Sequence, residues 1–245
     1  ADLRTLLRQP VLAELYCQID NAEPFAAHNE YQLFEAYFVR LWLQRDQADN
    51  PHDRQVLKTL IRSFLFQQHG YPWDAVAQQV AGLDNAIWKR LESIGILRRT
   101  PNGLAEIWHD RLLNWLVAES LCEERHSGRL STAELAEHVF HMHGNERHRI
   151  GRRLGYVPMD ALWIISSTAD DTTLRAGTMI LRRLESHPTE GGHPTGLYRG
   201  LLPSLGDRAV PLLERRLREA VNEEQPSQFL VRMIASALAV VAKAH

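Results

Sequence analysis

The densest group of side chains that could bind a metal is a set of four histidines, His138, His141, His143 and His148. Zinc is held by three or four ligands that converge in a tetrahedron, and His138 and His141 stand three residues apart, where they can share a helix face. A further ligand pair at CxxC or HExxH spacing is missing. We therefore predict no metal site here and interpret the cluster as a histidine-rich turn between helices, with zinc binding as the alternative.

Catalytic sequences are also missing from the chain. ATP hydrolysis by a phosphate-binding loop needs a glycine-rich turn with a lysine, a Ser/Thr and an acidic strand end for Mg²⁺. No GxxxxGK[ST] sequence occurs, and Gly191-Gly192-His193 is too short and lacks the lysine. The patterns around Cys17 and Cys122 suggest buried or incidental thiols rather than a Cys–His pair. We therefore expect no catalytic residue, and no enzymatic activity of this chain alone.

The clearest elements surround a tight turn at Pro101-Asn102-Gly103. A proline with fixed φ, followed by two residues that accept positive φ, suits a hairpin between short strands at 96–99 and 104–108. Before the hairpin, the apolar spacing over 87–94 predicts a helix that ends at Gly95. After it, His109 and Asp110 begin a long amphipathic helix, with Asp110 at the positive end of the helix dipole. This order of elements predicts a winged helix.

Residues 95–121 resemble the winged-helix domain of STAND-type signalling NTPases, a group that includes NACHT and NB-ARC proteins, because Trp108-His109-Asp110 is similar to their "MHD" signature. Tryptophan replaces the usual methionine, whereas the histidine and the aspartate are kept. The resemblance implies that His109 contacts the β-phosphate of bound ADP and holds the protein in its off state. It also implies that Asp110 belongs to the same nucleotide-sensing site.

A second resemblance concerns Pro10, which follows Arg8-Gln9 and precedes an apolar helix pattern. This segment looks like the element of the STAND helical domain whose proline packs beside the adenine of the nucleotide. The resemblance therefore adds Pro10 to the nucleotide-sensing residues. The alternative is that Pro10 only starts a helix, a position at which proline is common.

We predict an all-α fold with a small two-stranded wing, divided into three domains. Residues 1–46 form a helical domain that ends a nucleotide-binding module, and the broad apolar stripe of a packing helix at 31–45 lies within it. Residues 51–125 form the winged helix, with helices at 54–68, 75–80 and 87–94 before the wing. Residues 126–245 resemble a bacterial HEAT-repeat array, because helices at 159–167, 172–184, 197–205, 210–221 and 229–242 alternate with short loops.

Composition and charge limit the partners. A formal net charge of −2 gives no general attraction to nucleic acid or to acidic membranes. No run of about 18 apolar residues and no signal peptide occur, so we expect no membrane partner. The two cysteines are far apart and imply no disulfide framework, which favours a cytoplasmic location. Apolar helix patterns at both ends lead us to expect a longer protein.

Three functions follow, and the first is favoured. The chain would be the regulatory and sensor part of a STAND NTPase, with a protein or ligand bound on the HEAT-like face. ATP/ADP and Mg²⁺ are then expected only with an upstream nucleotide-binding domain, and homo-oligomerisation on activation is compatible with this role. The second is a winged-helix DNA-binding regulator, whose candidate contacts are Lys89, Arg90, Arg98 and Arg99. The third is a HEAT-repeat scaffold for protein partners.

Overall fold

The computed structural model describes residues 7–18, 29–37, 57, 61, 71–72, 85–93, 96–101, 103–107, 109–144, 155–167, 170–186 and 194–243, some of them by their backbone alone. The described part is mostly helical, which agrees with the predicted all-α class. Two compact units divide the chain, namely Ala1–Ser120 with Glu146–Leu154, and Leu121–Asn145 with Gly155–His245. No helix among the described residues is long and apolar enough to cross a membrane.

The first described elements of unit 1 are two short helices, α1 (Pro10–Gln18) and α2 (Glu30–Ala36). Pro10 is the first residue of α1, where its missing N–H costs no helical hydrogen bond. The Asn29 side chain caps α2 by accepting a hydrogen bond from the Gln32 N–H at 2.9 Å. Leu12 and Phe34 are among the residues buried from these helices. The predicted helix at 31–45 is confirmed as far as Ala36, and the residues after Tyr37 lie outside the described ranges.

The predicted hairpin is confirmed. Helix α3 (Asn85–Ser93) precedes strands β2 (Leu97–Arg99) and β3 (Leu104–Ile107), which pair antiparallel. The turn between the strands closes when the Gly103 N–H donates to the Thr100 carbonyl at 2.9 Å, and Gly103 takes a φ of +73°. Positive φ is open to glycine at no steric cost, which explains this residue at the end of the turn. Asn102 and Gly95 lie outside the described residues.

The sheet is larger than predicted, because its described residues form three strands instead of two. Strand β1 (Tyr71–Pro72) pairs antiparallel with β3, so that the strand order is β1-β3-β2. A two-residue strand has no alternating pattern for the sequence to show, and a proline within it argues against a strand unless the strand lies at a sheet edge. Within the predicted helix at 54–68 only Leu57 and Ile61 are described, and both are helical and buried.

Helix α4 (Asp110–His126) follows β3. It was predicted to be amphipathic, but every side chain from Arg111 to Ala118 is buried. Two polar side chains in this stretch are buried with hydrogen-bond partners: Asn114 donates to the Asp110 carbonyl at 2.6 Å, and Arg111 donates to Glu30. Because these polar residues are buried in pairs, the sequence pattern wrongly predicted that one face of α4 is exposed to solvent.

The longer helices among the described residues of unit 2 are α5 (Thr132–Gly144), α6 (Val157–Ser166), α7 (Asp171–Ser186), α8 (Val210–Val221) and α9 (Gln228–Lys243). Helix α7 packs against α5, α6 and α8, and α8 packs against α9. The start of α5 has a capping box: the Glu134 N–H donates to Ser131 Oγ at 3.2 Å, and the Ser131 N–H donates to the Glu134 carboxylate at 2.8 Å. Helices α6, α7, α8 and α9 correspond to the predicted helices at 159–167, 172–184, 210–221 and 229–242, with bounds shifted by a few residues at most.

The predicted helix at 197–205 is not a regular α-helix. A single turn at Pro194–Gly196 leads into a π-helical segment, Leu197–Leu201, and then a 3-10 segment, Leu202–Ala209. Gly206 interrupts the second segment with φ +65° and ψ −151°, a conformation almost restricted to glycine. The apolar spacing predicted a helix here, but the π and 3-10 segments are too short for that spacing to distinguish them from an α-helix.

Candidate functional site at the start of helix α4

His109 lies between β3 and α4, and it caps the helix. Its carbonyl accepts from the Leu113 N–H at 3.1 Å, and its ring nitrogen Nδ1 accepts from the Arg111 N–H at 3.0 Å. A neutral imidazole that accepts at Nδ1 carries its hydrogen on Nε2. The side chain is half-buried. The cap therefore selects the tautomer of His109 that carries its hydrogen on Nε2.

Burial lowers the pKa of His109 below its ordinary value. Nearby charges act in both directions: Asp110 and Glu14 raise the pKa, whereas Arg111 and Arg98 lower it. The net effect favours the neutral ring, which is the form that can accept the Arg111 N–H. Electrostatics and hydrogen bonding thus select the same protonation state.

Arg111 holds the start of α4 against α2. Its guanidinium is almost fully buried and donates to the Glu30 carboxylate at 3.3 Å. The same group lies 4.5 Å from the ring centre of Phe34 and 6.0 Å from that of Tyr31. Phe34 in turn stacks on Trp115 with ring centres 5.9 Å apart. An ion pair and two aromatic faces therefore surround one buried cation.

Of the other predicted nucleotide-sensing residues, Asp110 is exposed in the first turn of α4, and Pro10 is exposed at the start of α1. Glu14, one turn after Pro10, is close enough to His109 for its charge to act on the imidazole. The start of α1 and the start of α4 thus belong to one neighbourhood within unit 1. The packing of Pro10 beside an adenine stays a prediction.

The predicted basic contacts lie near the hairpin. Lys89 is exposed on α3, and Arg98 and Arg99 are exposed on β2. Arg90 also lies on α3, but its side chain is outside the described part of the chain. Trp88 and Leu91 are buried, so the apolar side of α3 faces the interior. The charge of Arg98 acts on His109, which gives this residue an electrostatic link to the site.

The histidine cluster is described only in part. His138 Nδ1 donates to the Glu134 carbonyl at 2.7 Å, which is a contact within α5. The side chains of His141 and His143, and all of His148, lie outside the described residues. Among the residues that the structure does describe, no three His, Cys, Asp or Glu side chains gather as metal ligands.

Sequence reasoning missed a buried charged cluster in unit 2. Arg216 on α8 donates to both oxygens of the Glu185 carboxylate, at 2.9 and 2.7 Å, and to Glu223 at 3.1 Å. The Tyr198 hydroxyl also donates to Glu185. Burial, and then the Glu185 charge, raise the pKa of Tyr198 well above its ordinary value. An arginine in the apolar stripe formed by Leu212, Leu213 and Ala220 was the available signal.

An open groove of about 450 Å³ runs along α8 beside the start of α7. Arg215 is one of its lining residues, and it pairs with Asp171 and with Glu219, the latter at 3.2 Å. The lining mixes charged, amide and apolar side chains, namely Asp171, Leu174, Pro211, Glu214, Arg215, Arg218, Glu219 and Asn222. The groove therefore presents charged, amide and apolar groups on one surface of unit 2.

Comparison of the chain with models of protein families, with curated proteins and with solved structures gives no match.

Proposed function

We propose that this chain is the regulatory and sensor portion of a STAND-type signalling NTPase. Residues 51–125 would be a winged helix that senses nucleotide through His109, and residues 126–245 a HEAT-like solenoid that receives a ligand or partner. The chain would act as a switch in a cytoplasmic protein and would not be an enzyme by itself. The observation that carries the proposal is the hydrogen bond from the Arg111 N–H to His109 Nδ1.

That hydrogen bond prepares His109 to bind an anion. With Nδ1 occupied, the Nε2–H is the group that can donate to a phosphate oxygen. The ring stands at the N-terminus of the 17-residue helix α4, where the helix dipole favours negative charge. The antiparallel hairpin in front of His109, and the short strand β1 paired with it, also support the winged-helix assignment.

The switch would follow from differential binding. A histidine contact to ADP stabilises the closed state, so a ligand on the solenoid must bind the open state more tightly to shift the population. The groove along α8 supports this part of the proposal, because it offers charged and apolar groups to a partner. ATP/ADP and Mg²⁺ would be held by an upstream domain, and activation would lead to self-association.

The first test is to read the coding DNA in frame upstream of Ala1 for a glycine-rich Lys-Ser/Thr loop and an acidic strand end. The second uses the full-length protein with His109→Ala. Loss of one hydrogen bond to a charged group removes about 1.5–3 kcal/mol of binding free energy, which corresponds to about a tenfold to hundredfold weaker Kd for ADP. We expect ADP to dissociate faster and signalling to become constitutive.

His138→Ala is the matched control, because His138 is also half-buried but bonds only within α5 among its described contacts. It should retain ADP as the wild-type protein does. Nucleotide retention is measured as bound ADP after gel filtration. Wild-type retention and silent signalling in the His109→Ala variant would refute the proposal, as would a start codon directly before Ala1.

DNA binding is the second candidate, because Arg98 and Arg99 are both exposed on a strand of the hairpin. Phosphate contacts release counterions, so DNA affinity must fall steeply with salt if this function is real. Fluorescence anisotropy with a labelled duplex at several salt concentrations decides the matter. If neither nucleotide nor DNA is bound, protein binding by the solenoid becomes the main function.

A further inference from the structure

Arg111 connects the candidate site to α2 through both parts of the residue. Its backbone N–H donates to His109 Nδ1 at 3.0 Å, whereas its guanidinium donates to Glu30 Oε1 at 3.3 Å. Glu30 is the first residue of α2. A single residue therefore bonds to the imidazole on one side and to another helix on the other side.

The guanidinium has little freedom to leave α2. Arg111 is 6% exposed, and its planar group lies over the ring of Phe34 as well as against Glu30. A planar guanidinium gains from both a carboxylate and an aromatic face, which a lysine ammonium does not reproduce. If α2 moved away, a buried cation would lose its carboxylate, which is strongly unfavourable. The first turn of α4 is therefore expected to move with α2.

The hydrogen bond to His109 depends on that first turn. Amides in the first turn of a helix have no partner within the helix, so the Arg111 N–H can be satisfied by a side chain that caps the helix. The bond exists only while the Arg111 backbone stays in its helical position beside His109. Displacement of this turn would release Nδ1 and, with it, the fixed tautomer.

We propose that Arg111 is a positioning residue that makes the hydrogen bonding of His109 depend on the placement of α2, with Glu30 as its anchor on that helix. This inference rests on the proposed function, because it describes the regulation of the same histidine. With α2 in place, Nδ1 accepts the Arg111 N–H, and the neutral ring carries its hydrogen on Nε2. With α2 displaced, the imidazole is free to turn or to take up a proton.

Loss of the Glu30 charge and displacement of the cap would change the pKa of His109 in opposite directions, so the two effects can be told apart. The charged groups that act on the imidazole are Asp110 and Arg111 on α4, Arg98 on β2 and Glu14 on α1. Removing the negative charge of Glu30 without any movement can only lower the pKa of His109. Releasing the ring from its cap and from burial instead raises the pKa toward its ordinary value of about 6.5.

The experiment is NMR of the 245-residue chain labelled with ¹⁵N in its arginines and histidines. The wild-type protein should show a scalar coupling between the Arg111 amide nitrogen and His109 Nδ1, transmitted through the hydrogen bond. The Glu30→Gln variant should lose this coupling and show a raised pKa of His109. Glu35→Gln is the matched control, because it removes the same charge from the same helix. It should keep the coupling.

Arg111→Lys is a second variant that keeps the positive charge, and it should also weaken the coupling. It decides the question alone if Glu30→Gln does not fold by circular dichroism. A coupling of wild-type size in both folded variants, with an unchanged or lowered pKa of His109, would overturn the inference. Absence of the coupling in the wild-type protein would also overturn it. No nucleotide is present in this experiment. A result against the dependence of His109 on α2 is therefore distinguishable from a result against the nucleotide-sensing function.

Discussion

A histidine as a helix cap makes the start of α4 sensitive to pH. Helix caps are usually serine, threonine, asparagine or aspartate, whose oxygens accept a hydrogen bond without titrating near neutral pH. His109 accepts the Arg111 N–H with Nδ1, and that nitrogen becomes a donor when the ring is protonated. Protonation therefore removes the cap and adds a positive charge beside Arg111 and at the positive end of the helix.

We predict that the stability of unit 1 depends on pH through His109. Burial lowers the pKa of His109 in the folded protein relative to about 6.5 in the unfolded chain, so the unfolded state binds the proton more readily. The contribution is therefore present above about pH 6.5 and is lost as the pH falls through the lower folded value. Hydrogen exchange at the first turn of α4, followed from pH 8 to pH 5, should show faster opening on the acid side.

The control is His109→Asn, which keeps an acceptor at the cap but does not titrate. After correction for intrinsic exchange, hydrogen exchange at the first turn of α4 should speed up less on the acid side in this variant than in the wild type. His109→Ala should open this turn at all pH values, since loss of a cap costs about 0.5–2 kcal/mol. Equal pH dependence in the wild type and the asparagine variant would contradict the prediction.

At this scale the sequence allowed His109 and Asp110 to be placed at a helix start, but not Arg111 to be recognised. An arginine in the first turn of a helix is normally predicted to have a solvent-exposed side chain. The burial of Arg111 depends on Glu30, which lies 81 residues earlier in the chain. Local spacing carries no information about such a partner. The missed residue is therefore one whose role is defined entirely by a long-range contact.

At the scale of elements, turn residues were the most reliable signal. Gly103 marked the hairpin and takes positive φ, and Ser131 with Glu134 marked a capping box that is formed. Both signals are local, because the hydrogen bonds they imply join residues three apart. The 194–209 segment shows the opposite case, since its π and 3-10 segments are too short for their apolar spacing to be told from that of an α-helix.

We predict that Gly206→Ala destabilises unit 2 by about 1–3 kcal/mol, because the φ and ψ of Gly206 lie in a region that other residues rarely adopt. A Cβ at this position would meet no atom within 4 Å, so the loss would arise from the backbone alone. Urea denaturation followed by circular dichroism measures the change in the free energy of unfolding.

Gly200→Ala is the matched control for this variant. Gly200 lies in the preceding π-helical segment, and a Cβ there also meets no atom within 4 Å. Its φ is not in the positive region that strains other residues. Equal free energies of unfolding for the two variants would show that the bend at Gly206 does not require glycine.

At the scale of the whole molecule, the helical class could be predicted, whereas the contacts that order the helices could not. Strand β1 joins the sheet through β3, more than 30 positions later in the chain. Gly177 on α7 lets α8 approach so closely that a Cβ would lie 2.7 Å from Leu212 Cδ1. The apolar periodicity of the sequence predicts which residues are buried, but not which helix packs against them.

The buried cluster around Arg216 is the strongest case of such a contact. It joins the end of α7, the 194–209 segment and α8 through Glu185, Tyr198 and Arg216. Burial lowers the pKa of Arg216, but the hydrogen bonds and charge of Glu185 outweigh it and raise the pKa above the ordinary value. The guanidinium therefore stays charged, and removing it would leave a buried carboxylate without its main partner.

We predict that Arg216→Met destabilises unit 2 by about 3–5 kcal/mol, which is typical when one member of a buried ion pair is removed. Arg182→Met is the matched control, because Arg182 pairs with Glu219 on α8 at 3.2 Å while its side chain is 47% exposed. An exposed pair contributes only about 0–1 kcal/mol. Hydrogen exchange over residues 171–223 localises the effect, and equally small losses in the two variants would show that the buried cluster does not hold the three segments together.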